Sequence, residues 1–95
     1  MISGTDSLRI ADAIIDAGIL PSRYAVSKTL FGCRDEYLAD RVRWPHASVG
    51  KAVVARLKSR LADVAKAAPI EARGIFDKIA GMIANAEEVA AFVAR

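Results

Sequence analysis

Ninety-five residues, 54% hydrophobic but only 6% aromatic, leave room for one modest core of aliphatic side chains on helices, so an all-α fold is expected and a second independent core is excluded. Cys33 is the single cysteine and His46 the single histidine, which excludes an intrachain disulfide and a structural zinc site. The net charge of +3 is unevenly spread: residues 23–60 carry nine bases against three acids and the remainder five bases against eight acids. A basic centre of this kind fits a polyanion-binding surface, and charge alone does not separate DNA from RNA or an acidic protein.

The N-terminal stretch MISGTDSLRI has no basic segment followed by an apolar core, and no run of about 18 apolar residues occurs anywhere. Neither secretion nor membrane insertion is signalled, so a cytoplasmic protein is expected. A first helix is predicted over about residues 7–17, with Thr5 or Asp6 as N-cap, Ile10, Ile14 and Ala17 on one stripe and Gly18 just past the end. Asp12 and Asp16 share its outer face and read as solvated. Ser22 caps a second helix over about 23–31, with Ala25, Val26, Leu30 and Phe31 inward and Gly32 in position to let the chain leave sharply.

A third helix is expected over about 34–42, with Asp35 and Glu36 in its first turn, at the positive end of the helix dipole. Its apolar members Tyr37, Leu38 and Val42 point inward. Residues 44–47, with Pro45, form a loop in which Trp44 caps the core. Ser48 caps a long fourth helix over about 49–67, with Val53, Leu57, Leu61 and Val64 on one stripe, and Pro69 opens a fifth helix running from 70 to near the end.

Ser22, Val26-Ser27, Leu30-Phe31-Gly32, Tyr37-Leu38 and then Pro45, Ser48, Val53, Leu57 and Leu61 resemble a group of small bacterial helix-turn-helix proteins, similar in architecture to phage repressor and Cro-type domains. The resemblance spans about residues 10–61. Val26 departs from it where an aromatic is more usual, and Phe31 where a leucine precedes the turn glycine. It implies about five helices, a helix-turn-helix domain over 1–68, and a third helix that enters the major groove of double-stranded DNA. On that reading Arg34 reaches guanine and Glu36 accepts from cytosine, while Lys28, Arg41, Arg43 and Lys51 belong to the DNA-binding surface, Lys28, Arg43 and Lys51 as phosphate contacts. Asp35 and Asp40 are expected to pair locally with Arg34, Arg41 or Arg43.

Catalysis has little to draw on. His46 lies near Ser48, and Cys33 beside Arg34, but no glycine-rich phosphate loop and no HExxH occur, so a non-enzymatic protein without metal or cofactor is expected. In the tail, residues 69–95, the set Ile75, Ile79, Met82, Ala86, Val89 and Val93 recurs at steps of four and three, with Phe76, Ile83 and Ala90 widening the stripe. That breadth predicts burial against the domain on one side and against a second copy on the other, a homodimer in which Gly74 and Gly81 mark close helix approach. The sequence-level reading is therefore a dimeric DNA-binding transcriptional regulator. Its alternative, favoured by acids in the third helix, is a protein-interaction module of helix-turn-helix shape, such as an antitoxin, phage-derived inhibitor or adaptor, binding an acidic protein.

Overall fold

The computed structural model describes residues 1–93, and its regular elements are helices: α1 (Gly4–Asp16), α2 (Arg23–Thr29), α3 (Tyr37–Arg43), α4 (Lys51–Ala67) and α5 (Arg73–Val93), with a 3-10 turn over Ile70–Ala72 leading into α5. The predicted all-α class, five helices with a long last one, is what the chain adopts. Among the described residues the only β pairing is one antiparallel bridge between Ile2 and Val49.

Helix α1 starts earlier than its sequence suggests. Ser3, in extended conformation, accepts the Asp6 N–H at 3.1 Å, so it and not Thr5 or Asp6 is the cap. Ile2 before it is anchored by two backbone bonds to Val49, 3.2 and 2.8 Å, a non-local tie that local spacing does not reveal. At the other end the Gly18 N–H reaches Ile15 and the Ile19 N–H reaches Ile14, satisfying the last carbonyls of the helix as expected.

Ser22 caps α2 through the Ala25 N–H at 3.2 Å, but the helix stops at Thr29 and not at Phe31. Its final turn widens, with the Phe31 N–H on Val26 and the Cys33 N–H on Ser27. Gly32 then turns left-handed at φ 65°, the conformation that favours glycine. This widened exit carries the chain as far as Glu36, so α3 begins at Tyr37 and not at Arg34. Arg34, Asp35 and Glu36 therefore precede the helix and do not form its first turn.

Glu36 provides no side-chain cap. The cap comes from α2 instead: the buried Ser27 Oγ accepts the Leu38 N–H at 3.2 Å while donating to the Arg23 carbonyl at 2.8 Å. Helix α4 likewise begins later than expected, at Lys51 after Gly50, because the bridge to Ile2 holds Val49 in extended backbone, fully buried, and takes Ser48 out of the capping position.

One core joins all of these elements. Ile10 and Ile14 from α1 meet Val26, Leu30, Phe31 and Leu38, together with Val54, Leu57 and Leu61 of α4 and Phe76, Ile79, Ile83 and Ala86 of α5. Helix α1 touches α2, α3 and α5, and α5 also packs on α4. On α4 the predicted Leu57 and Leu61 are buried, but Val54 is buried in place of Val53, and Val53 and Val64 are only partly covered. Gly4 is small for a reason invisible in local sequence: a Cβ there would stand 2.7 Å from the carbonyl oxygens of Pro45 and Ala47, which cross over the start of α1.

Two ion pairs stitch helices together. Asp12, expected to be solvated, holds Arg23 through a two-pronged contact with both bonds at 3.0 Å, linking α1 to the start of α2; that hydrogen bond raises the Arg23 pKa above its ordinary value. Lys58 and Glu87 pair between α4 and α5.

Candidate nucleic-acid interface

Helix α3 packs inward through Leu38, fully buried, and the half-buried Tyr37. Its outward stripe carries Ala39, Val42 and Arg43, with Glu36 at its start. Val42 is expected inside from its spacing, yet it is 54% exposed, on the same outward stripe as Ala39 and Arg43. Trp44 follows, 56% exposed with the Arg43 guanidinium 5.4 Å above its ring, so it is no cap over the core. The short helix thus shows solvent two small or branched apolar side chains, an arginine and an indole.

The remaining predicted residues divide. Lys28 at the end of α2 and Lys51 at the start of α4 are exposed. Arg34 is exposed in the connection and pairs with Asp40 of α3 at 3.6 Å, the local pairing anticipated for that acid. Arg41 faces its own fold: its guanidinium lies 4.6 Å over the Tyr37 ring, Nη1 donates to the Ser48 carbonyl at 3.4 Å, and Nε is buried with no partner. Burial pushes the Tyr37 hydroxyl pKa up, and the positive Arg41 opposes that shift only in part. Among the described residues, Lys28, Arg41, Arg43 and Lys51 have no carboxylate within ion-pair distance.

Sequence reasoning missed two residues beside this surface. Arg56 donates from Nη1 to the carbonyls of Phe31 at 3.1 Å and Gly32 at 2.8 Å, and Arg60 from Nη1 to those of Thr29 at 3.0 Å and Lys28 at 3.4 Å. Together they clamp the widened end of α2. Their spacing of four on one helix was the available signal, but the carbonyls they bind lie far away along the chain.

The tail stripe is split. Ile79 and Ala86 are buried in the chain's own core along with Phe76 and Ile83, so these two members of the expected dimer seam are intrachain contacts. Ile75 and Val89 are exposed, Val93 is 77% exposed, and Met82 is half-buried against the core. Apart from their own chain neighbours and the nearby backbone of α5, no atom among the described residues comes within 4 Å of where a Cβ would stand on Gly74 or Gly81, so neither glycine is needed for a close approach of another described element.

Cys33, half-buried, points its Sγ at the Phe31 carbonyl at 3.5 Å, and His46 is an exposed loop residue. Among the described residues no three of His, Cys, Asp and Glu gather to hold a metal ion, and no helix is long and apolar enough to cross a membrane. Comparison with protein-family models, characterised proteins and solved structures found no match to this chain.

Proposed function

We propose that this chain is a non-enzymatic, sequence-specific double-stranded DNA-binding protein, a small transcriptional regulator acting as a homodimer in the cytoplasm. The observation that carries the reading is the outward face of α3, where Ala39, Val42 and Arg43 are exposed beside Trp44; Lys28 at the end of α2 and Lys51 at the start of α4 add exposed cations without an ion-pair partner among the described residues. What supports the reading is the combination on one short helix end: a branched apolar side chain, an arginine without an ion-pair partner among the described residues and an indole, all turned to water. About two turns long, α3 matches the width of a major groove.

In the groove, the methyls of Ala39 and Val42 suit the thymine C5-methyl, and Arg34, released from Asp40, suits guanine O6 and N7. Glu36 accepts from a cytosine amine. Lys28, Arg43 and Lys51 neutralise backbone phosphates and set register without reading sequence. Arg41 supports the site by holding Tyr37 and the loop after α3, a role inside the fold in place of the surface role its sequence position implies. For the homodimer, Ile75, Val89 and Val93, with the edge of Met82, are the members of the seam left for a second copy.

Substitution separates the two kinds of contact. Arg34→Ala should lower discrimination at one base pair by about 1–3 kcal/mol, whereas Lys28→Ala or Lys51→Ala should weaken binding to every sequence alike. Affinities for a selected site and its single-base variants are the measurement, and uniform losses for all three changes remove Arg34 from direct readout. The exposed Val42 and Trp44 at one end of α3, with acidic Asp35 and Glu36 at the other, favour one other reading, a protein-interaction surface, which predicts no duplex binding at all.

A further inference from the structure

A helix end presents unpaired carbonyls and a partial negative charge, which repel an anion. At the end of α2 that charge is covered. Arg56 and Arg60, one turn apart on α4, place their guanidinium groups on four carbonyls from Lys28 to Gly32. Each uses only Nη1 for this. A guanidinium carries five N–H donors, so Nε and Nη2 of both residues remain without a protein partner. Arg60 is exposed, and neither of these atoms is buried in Arg56. No carboxylate among the described residues neutralises either arginine. The Arg60 contact to the Lys28 carbonyl puts the backbone of a third, exposed cation at the same helix end, within reach of its flexible side chain.

Satisfying carbonyls requires one donor each; two oriented guanidinium groups with spare donors facing water exceed that need. Their orientation is fixed before any ligand arrives, which lowers the ordering cost of a planar, two-pronged contact to phosphate oxygens. We propose that Arg56, Arg60 and Lys28 form a phosphodiester-binding site of their own, at the exit of α2 that leads into α3. The inference rests on the DNA-binding reading and deepens it: this patch grips the backbone of the same duplex that α3 reads, and the phosphate at this site fixes how far α3 enters the groove.

The test uses the full chain and a random-sequence duplex, with affinity followed across a salt series and thermal unfolding measured alongside. Removing one phosphate contact should make the slope of log affinity against log salt shallower by about 0.9. Arg60→Gln and Arg56→Gln are each expected to reduce the slope by about that much on all sequences, and Arg60→Lys to keep it. A neutral variant with the parent's slope overturns the site while leaving DNA binding intact, whether its affinity is unchanged or falls only with its unfolding temperature; the latter makes these arginines clamps for α2 alone. Absence of duplex binding by the parent overturns the DNA reading itself and the site with it.

Discussion

Ser27 joins the two helices on which the proposed interface depends. Its buried hydroxyl donates to α2 and accepts the Leu38 N–H of α3, replacing the cap that Glu36 does not provide. Ser27→Ala leaves that buried N–H without a partner and should cost about 1–3 kcal/mol, read by denaturant unfolding; an unchanged midpoint would mean that Leu38 finds another acceptor. Tyr37 gives a pH signature. Its hydroxyl pKa is raised in the folded state above the ordinary 10.0, so the folded chain holds this proton more tightly than the unfolded chain. Stability from this residue is therefore complete below about pH 10 and is lost as pH rises through the folded value. Unfolding measured from about pH 8 to 11 should show the parent losing stability more steeply than Tyr37→Phe above about pH 10, and parallel curves would contradict the assignment. The role of Ser27 was not legible in the sequence, because it depends on another helix: Ser27 reads as a polar member of α2 until α3 is placed above it. Arg41 lies four residues after Tyr37 on the same helix, so their contact was within reach of local spacing, whereas the bond from Arg41 to the Ser48 carbonyl across the loop was not.

At the scale of elements, what was legible was local. Ser22 before Arg23 and Gly18 after α1 act within a few residues of themselves, so local spacing places them correctly. The starts of α3 and α4 fall elsewhere than spacing suggests because a distant group decides them, Ser27 supplying the cap of α3 and Ile2 pairing with Val49 before α4, whereas α1 starts at a local cap, Ser3, steadied by the same bridge. Helix α5 shows the same limit, since its periodicity reveals a broad apolar stripe but not which members face inward. Ile79 and Ala86 do, while Ile75 and Val89 do not. This division specifies the dimer test. Replacing the exposed Ile75 and Val89 with glutamate should leave the fold intact and turn the proposed dimer into a monomer, whereas Ile79→Ala should cost about 2–5 kcal/mol as a core deletion. Sedimentation of the parent and the double variant at micromolar concentration reads the first outcome, and a parent that sediments as a monomer contradicts the shared seam.

Over the whole molecule, the basic centre visible in the sequence is put to several uses. Arg23 is bound to Asp12 and Lys58 to Glu87, Arg41 is drawn onto Tyr37, and Arg56 and Arg60 hold the end of α2. A count of charges along the chain does not distinguish these engaged cations from free ones, which is why the basic window indicates a class of ligand but does not define a surface. Arg43, on a short helix with an exposed apolar stripe, and Lys28 and Lys51, exposed on α2 and α4, have no ion-pair partner among the described residues, and the claim that the surface they belong to binds duplex DNA is the one on which the functional account turns. The direct measurement is binding of the unmodified protein to random-sequence duplex DNA across a salt series. Neutralised phosphates release counterions, so affinity should be measurable at low salt and fall steeply and linearly on a log–log scale, with a slope reporting several phosphate contacts. No binding at low salt, or binding that is insensitive to salt, would contradict it.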